Sequence, residues 1–390
     1  MNRVNELIKE YCPDGVEIRC LEDCCNLLDK KRKPITKAAR EAGEYPYYGA
    51  NGIQDYVANY IFDGTFVLVG EDGSVITKSG TPVVTWAEGK IWVNNHAHII
   101  EEKDGVMLRY LYHYLQTIDV TSLIHGNIPK LTGGDFKALK IAVPPLEVQR
   151  EIVHILDSFT LLTAELTAEL TARKKQYEFY RDKLLTFGND TLECRLKDIC
   201  DIFLGLTATP NYTDAGVKFI SAQNTSNDFL DLSNVKYISE TDFESTTSNA
   251  KPQRGDLLFT RVGSNLGHPV IVETDEKLCI FVSLGYLRVR NKKQVVIGYL
   301  KHWMNTDLFW SQVRKNVHGA AKVNLNTGWL KEFRISLPPL ETQERIVHVL
   351  DNFEAICTDL NIGLPAEIEA RQKQYEYYRD KLLSFKELPK

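Results

Sequence analysis

The sequence predicts an α+β protein in which two similar domains of mixed α/β structure are joined by two long antiparallel coiled-coil helices, with a pseudo-twofold internal repeat. Its 390 residues exceed the ~250–300 at which a single hydrophobic core stops growing, so more than one domain is expected. PPLEVQREIVHILDSF (residues 144–159) recurs as PPLETQERIVHVLDNF (338–353) with 11 of 16 positions identical, and ARKKQYEFYRDKLLTF (172–187) recurs as ARQKQYEYYRDKLLSF (370–385) with 13 of 16 identical. Weaker pairs keep the same order: YLYHYLQT (110–117) matches YLKHWMNT (299–306), GTFVLVGEDGS (64–74) matches the shorter GDLLFTRVGS (255–264), and His125-Gly126 matches His318-Gly319. The chain is therefore two diverged copies of one unit, each a variable globular part followed by a nearly invariant segment. The boundaries read as a first globular domain over 1–140 with a short N-terminal helix, a helical segment over 141–189, a second domain over 190–337 and a second helical segment over 338–390.

The invariant segments carry the heptad. In the first copy Ile152, Leu156, Phe159, Thr163, Leu166, Leu170, Arg173, Tyr177, Tyr180 and Leu184 fall at a and d, and only Thr163 and Arg173 are polar. Such a seam is a coiled-coil signature, and a helix over 146–187 would run about 60 Å. The second copy follows through Ile346, Leu350 and Phe353, steps four residues next to Gly363 and Pro365, and resumes at Tyr375, Tyr378 and Leu382. That stutter predicts a kink or restart. Antiparallel packing is expected because it relates the two copies by an approximate twofold.

The variable parts read as short strands with a helix each. FVLVG, PVVTW and WVNNHAHII are strand-like in the first and 106–117 is helical; VKFISAQN, DLLFT, PVIVE and LGYLRVR are strand-like in the second and 295–313 is helical. Pro46, Asn51-Gly52 and Asp72-Gly73 mark turns or loops.

Composition excludes little beyond a membrane span. With 43% hydrophobic and 25% charged residues it is ordinary for a globular protein, no apolar run approaches the ~18–20 residues a span needs, and MNRVNELIKEYCPDG has no apolar signal core. A cytoplasmic location is expected. The eight cysteines form no CxxC pair and read as reduced, mostly buried thiols. The net charge of −5 is unfavourable for contact with phosphates, which is usually built from clustered Lys and Arg. There is no phosphate-binding GxxxxGK[ST] loop, no GxGxxG opening a helix, no HExxH and no Asn/Asp-Pro-Pro-aromatic tetrad of the kind that grips a flipped base. Asp63, Glu71 and Asp72 could mimic a nuclease cluster but read as surface-loop carboxylates, and Arg261 stands where the second copy would need acids. His96 and His98 lack a third ligand at metal spacing. No catalytic residue and no metal site is assigned.

The duplicated PPLExQ, IVxxLDxF and KQYExYRDKLLxF segments resemble the central and C-terminal conserved regions of type I restriction-modification specificity subunits, and the alternation of variable and conserved regions covers nearly the whole chain. The resemblance implies that each globular part is a target-recognition domain reading one half of a bipartite double-stranded DNA site. It implies that the conserved helices act as a ruler and dock two methyltransferase subunits. Those partners hold S-adenosylmethionine, and restriction subunits that use ATP and Mg join through them; this chain binds no cofactor itself. Base edges and phosphates are read by amide, guanidinium, ammonium and aromatic groups. The DNA-binding candidates are Lys31, Arg32, Lys33, Lys37, Tyr47, Tyr48, Asn51, Lys78, Asn94, Asn95 and Lys130 in the first domain, and Gln223, Asn224, Arg261, Ser264, Asn265, Lys322, Asn324 and Asn326 in the second. Lys175, Arg181, Lys373 and Arg379 are the candidates for docking the methyltransferase. Two other classes stay open on the residues alone. A catalytic DNA methyltransferase or nuclease would reveal itself by activity of the isolated chain, and a coiled-coil adaptor by the lack of salt-dependent DNA binding.

The first helix contains the tandem TAEL-TAEL (163–170). In a subset of the family such tetrapeptides set the gap between half-sites. Four residues lengthen a helix by about 6 Å and turn it ~40° past a full revolution, so the seam stays on its partner. One further TAEL after Leu170 is expected to give a spacer one base pair longer with both half-sites unchanged, read from the methylated motif of the variant beside that of the parent. An unchanged spacer would remove 163–170 as the ruler.

Overall fold

The computed structural model describes residues 2–188, 190–246, 248–263, 265–316 and 324–389. They form two compact units, residues 1–165 with 368–390, and residues 166–367. The first unit is thus discontinuous in sequence. No helix among the described residues is long and apolar enough to cross a membrane.

In the first unit a six-stranded sheet has the order Asn26–Leu27, Ala97–Glu101, Phe62–Gly70, Val84–Val93, Ala42–Gly49, Gly52–Val57. The two long central strands pair antiparallel from Phe62↔Ile91 to Val69↔Val84. One face buries Val67, Val69 and Ile100 under the helix Leu108–Leu115; the other buries Phe66, Leu68 and Ile99. The second unit divides the same work between a four-stranded sheet (Cys200–Leu204, Leu284–Val289, Leu257–Thr260, Pro269–Ile271) and a three-stranded one (Lys236–Ile238, Val217–Ile220, Leu278–Ile280). Each domain is closed by an antiparallel pair: Glu17–Cys20 with Lys140–Val143, and Leu192–Arg195 with Arg334–Leu337. The second member of each pair leads directly into Pro-Pro and the long helix.

Four local expectations change. The strand expected over VKFISAQN ends at Ile220, and Ala222–Thr225 forms a short 3-10 turn. WVNNHAHII is not one strand: the first strand ends at Val93 and the next begins at Ala97, because the Asn94 side chain accepts the His96 N–H at 2.8 Å and makes a turn. Pro46 marks no turn but lies inside the strand Ala42–Gly49, beside a register shift that accommodates it. The helix expected over 295–313 is two, Ile297–Met304 and Asp307–Asn316.

The first conserved segment is one helix of 39 residues, Leu146–Leu184, and the second is Leu340–Thr358 followed by Leu364–Leu382. The break falls at the stutter. Asp359 Oδ1 accepts the N–H groups of Asn361 and Ile362 at 2.7 and 3.2 Å, and Pro365 occupies the first turn of the new helix, where its missing N–H costs nothing.

The seam is buried where it meets a domain, at Ile152, Leu156, Ile346, Leu350, Tyr375 and Leu382, and not as an isolated coiled coil. In the first unit Val148, Ile152, Val153 and Leu156 share one core with Tyr375, Leu382 and Leu383 and with the domain residues Tyr110 and Leu111; Phe159 stacks on Tyr378 at 5.3 Å. In the second unit Ile346 and Leu350 join Tyr299 and Trp303, with Tyr177 and Leu184 packed on them. There Tyr180 meets Phe353 at 6.0 Å while remaining 37% exposed. Between those two contacts the first copy spans 21 residues and the second 25 (180 − 159 and 378 − 353), the surplus of four being the stutter. Each globular part therefore packs on the start of its own helix and on the end of the other copy's helix. That third packing partner explains why Val148, Val153 and Leu185, outside the a/d positions, are also buried. Leu166 is buried at mid-helix, whereas Leu170 is only half-buried.

The C-terminal residues complete the first unit. Val16 N–H donates to Lys386 O at 2.8 Å and Leu388 N–H to Val16 O at 3.0 Å. Gly15 makes this possible: its φ is +128°, and a Cβ there would stand 2.8 Å from the carbonyl oxygens of Lys386 and Glu387. Gly15→Ala is expected to cost about 1–3 kcal/mol through backbone strain and overpacking, read as a lower urea midpoint. An unchanged midpoint would show that the C-terminal stretch does not add to the stability of this unit.

Candidate nucleic-acid interface

The first domain builds its polar site on the ends of its central strands. Glu71 and Asp72 follow the strand Phe62–Gly70, and Asn94, Asn95 and His96 form the neighbouring turn. Beneath them lies a nearly buried charge network. Arg32 Nη1 donates to Glu71 Oε2 and to Ala97 O, both at 2.6 Å, Asp29 accepts from His98 at 2.7 Å and from Ile99 N–H at 2.9 Å, and the His98 ring stacks on Phe136 at 4.2 Å. Desolvation pushes the Asp29 carboxyl up, but the bonds from His98 and Ile99 and the Arg32 charge outweigh it and hold it below the usual carboxylate range. Ligand-type atoms of Asp29, Glu71 and His98 lie within 4.8 Å of one another, the arrangement a cation would use. Here the Arg32 guanidinium supplies the positive charge instead, so the cluster serves as the floor of the site.

Over that floor opens a cleft of about 530 Å³ lined by Asn51, Gln54, Asp72, Ser74, His96, Ile128 and Lys130 among others. His96 Nδ1 pairs closely with Asp72 Oδ1, and Lys130 Nζ lies 3.3 Å from Glu71. The cleft mixes amide donors and acceptors, an imidazole and an ammonium, the groups that hydrogen-bond base edges. Of its members sequence reasoning named Asn51 and Lys130; it missed Gln54, took Asp72 for a loop carboxylate and left His96 unplaced. No sequence signal placed 51–54 beside 94–96; Asn51-Gly52 marked only a turn.

The remaining first-domain candidates divide by burial. Lys31, Lys33, Lys37, Lys78 and Asn95 are exposed. Arg32 is committed to the floor. Tyr47 is buried, with its hydroxyl on Ile35 O and N–H at 3.3 and 3.0 Å and Arg40 over its ring; Tyr48 and Asn94 are buried too, and Asn94 holds its turn while donating to Gln54 at 3.3 Å. These four shape the surface from within and do not face it. Alternation in the strand Ala42–Gly49 is lost at its end, where both tyrosines turn inward.

In the second domain Gln223, Asn265, Asn324 and Asn326 are exposed, although Asn326 is occupied as a helix cap, accepting Gly328 N–H at 2.7 Å. Asn224 turns inward and fastens its own loop through Ser221 N–H and the carbonyls of Asp231 and Asn234. Arg261 donates to Val282 O at 3.0 Å and Leu325 O at 3.4 Å, and burial lowers its pKa. Ser264 and Lys322 lie outside the described residues, as do His318 and Gly319.

The helices meet the domains through a polar set that occurs twice. Gln149 accepts Met107 N–H at 2.9 Å and donates to Gly105 O and Pro144 O. Gln343 accepts Val296 N–H at 3.0 Å and donates to Gln294 O and Pro338 O. His113, 0% exposed, sits between Asp157 and Tyr375, and His302, also 0% exposed, between Asp351 and Tyr177. Glu354 joins Asp351 and His302 in a second ligand-like triple, where Lys301 pairs with Glu354 as Arg32 does with Glu71. Of the docking candidates Lys175 and Lys373 are exposed, whereas Arg181 and Arg379 are not the open surface positions expected. Their side chains are 13% exposed, each paired with the next aspartate and laid over Tyr177 or Tyr375, because the heptad rotates them toward the domain that packs as third partner.

Two helix-clamped globular domains with separate polar surfaces define a class: a duplicated recognition protein with its variable chemistry at the surface and its repeat in the clamp. The chain belongs to the type I restriction modification DNA specificity domain family, which matches residues 13–173 and again 189–370. It is 35% identical over 384 residues to a putative type I restriction enzyme specificity subunit of Haemophilus influenzae, covering 95% of this chain and 96% of that one. It is 31% identical over 299 residues to a type I restriction enzyme specificity subunit of Escherichia coli, covering 73% and 72%. Its fold is similar to that of the type I restriction-modification S subunit of M. genitalium, with a TM-score of 0.55 at 14% identity over 94% of this chain and 96% of that one.

The clamp generates a pH prediction. Desolvation, and then the charges of Arg109 and Arg379, lower the His113 pKa against the pull of Asp157; Asp157 is itself held low by His113 and Arg109 despite its own desolvation. A histidine depressed in the folded state binds its proton more readily when unfolded, so the stability it contributes is present above the ordinary value of ~6.5 and is lost as pH falls toward the folded pKa. Asp157 adds a loss only at much lower pH, below ~4. Urea unfolding is expected to weaken from pH 7.5 to 5.5, and His113→Gln to flatten that slope. A slope unchanged in the variant would place the acid sensitivity elsewhere.

Proposed function

We propose that the chain is the non-catalytic subunit that gives a type I restriction-modification complex its DNA sequence specificity, one half of a bipartite site falling to each recognition domain. The observation that carries this reading is the contrast within the repeat: the clamp residues recur in both copies, while Glu71 and Asp72 at the first domain's cleft give way to Arg261 and Val262 in the second. In the first domain Asn51, Gln54, Asp72 and His96 face base edges, and Lys31, Lys33, Lys37, Lys78 and Lys130 face phosphates. In the second, Gln223, Asn265 and Asn324 present amides. An overall acidic chain binds DNA through such local lysines, and a methyltransferase partner adds its own cationic surface.

The exposed Lys175 and Lys373 faces of the conserved helices receive two methyltransferase subunits, which hold S-adenosylmethionine, and restriction subunits with ATP and Mg join through them. The setting is the cytoplasm, where the DNA is.

Exchange of residues 17–140 for the corresponding segment of another family member, in cells producing the chain with its methyltransferase partner, is expected to change one half of the methylated motif and leave the other half intact. Methylome sequencing reads this directly. Alteration of both halves would overturn the assignment of one half-site per domain.

A further inference from the structure

The loops of the two domains have diverged, yet one buried constellation is present in both. In the first unit His113 Nε2 lies 2.8 Å from Asp157 Oδ1 and His113 Nδ1 lies 2.8 Å from the Tyr375 hydroxyl. In the second, His302 stands in the same way between Asp351 at 2.7 Å and Tyr177 at 3.1 Å. A carboxylate only accepts, so Nε2 of each ring carries a hydrogen, and in the neutral ring Nδ1 accepts from the tyrosine. Every polar atom of the two rings is used.

The chain positions make the arrangement crossed. His113 and Asp157 belong to the first copy of the repeat and Tyr375 to the second; His302 and Asp351 belong to the second and Tyr177 to the first. Each histidine projects from its domain's own helix, Leu108–Leu115 or Ile297–Met304. It is bonded at once to the helix that follows its own domain and to the helix that follows the other domain. Apolar packing alone tolerates small rotations of one helix on another, because contact area is not directional. Two opposed hydrogen bonds on a rigid ring do not, since each weakens steeply with angle. Gln149 and Gln343 fix the base of each domain by the same means.

We infer that His113 and His302 are positioning residues for bipartite reading: each sets the angle at which its recognition domain is held on the helix pair, and the tyrosine from the opposite copy completes the setting. The inference rests on the DNA-specificity reading above. Its consequence is non-local in sequence, because Tyr375, near the C-terminus, governs the first domain and Tyr177 governs the second.

The test uses Tyr375→Phe and Tyr177→Phe in the full chain, with Tyr378→Phe, which lies beside Phe159 away from the histidines, as control. Amide hydrogen exchange is measured on the purified chain, and the methylated motif is read from genomic DNA of cells producing the chain with its methyltransferase partner. Losing one buried bond should speed exchange about tenfold in 108–115 for Tyr375→Phe, with 297–304 at the parental rate, and the reverse for Tyr177→Phe. Each variant, unlike Tyr378→Phe, should raise methylation at sites with a spacer one base pair off by about fivefold while both half-sites keep their sequence. Should Tyr375→Phe fail to accumulate, His113→Gln, which satisfies Asp157 but cannot span to Tyr375, takes its place with the same expectation. Faster exchange without relaxed spacing would leave the histidines as fold stabilisers only and overturn the inference, as would exchange altered in both domains by either variant. A parental chain that yields no two-part motif would instead overturn the DNA-specificity reading itself, and the exchange pattern would still report whether the crossed bonding holds.

Discussion

Both halves of this protein depend on the burial of a helix segment from one copy of the repeat in a core built mainly by the other. In the first unit Tyr375, Leu382 and Leu383 enter a core otherwise drawn from residues 4–156. Neither globular part covers its own helix-facing surface, and neither conserved helix has a two-sided partner without it. A fully buried Leu or Tyr is worth roughly 1.5–3 kcal/mol, so a few such residues supply a large fraction of a domain's net stability of ~5–15 kcal/mol. The divergence of the loops and the near-identity of the helices follow from this division of labour. The helices pack into two different cores at once and tolerate little change; the loop ends pack into none.

Much of this architecture was legible in the sequence because duplication and the 3.5-residue period are direct readouts of packing. The repeat located the Pro-Pro junctions, and the Gly363-Pro365 stutter located the helix break. The seam's third partner was not legible. A heptad reports that a stripe is covered and not by what, so Arg181 and Arg379 read as surface residues when their guanidinium groups lie over Tyr177 and Tyr375. The site was read less well for a related reason. Arg32, Tyr47 and Asn94 carry the functional groups of a DNA reader, but each is committed to holding a turn or a neighbouring carboxylate, and composition does not distinguish a group that faces solvent from one that has found an internal partner. His98 shows the converse: nothing in its spacing announced Asp29, which is 69 residues away.

The two positively charged groups inserted into acidic triples, Arg32 beside Glu71 and Lys301 beside Glu354, bear on the chain's net charge of −5. Several of its acids are internal structural elements already paired with an arginine or a lysine. Such pairs cancel without changing the sum, so the formal total does not describe the local surface that carries Lys31, Lys33, Lys37 and Lys78. Local pairing, more than total charge, decides the potential a phosphate backbone meets.

The discontinuity of the first unit has a bearing on how the chain is made. Residues 166–367 are contiguous and can assemble as soon as they leave the ribosome. The amino-terminal unit, although begun first, lacks Tyr375, Leu382 and the 386–388 stretch until those residues have been made. At ~5–20 residues per second its apolar helix-facing surface stays uncovered for on the order of ten seconds or more. Domains usually mature in the order of synthesis; here the order is inverted, and the nascent first domain is the stretch that a chaperone has most reason to hold.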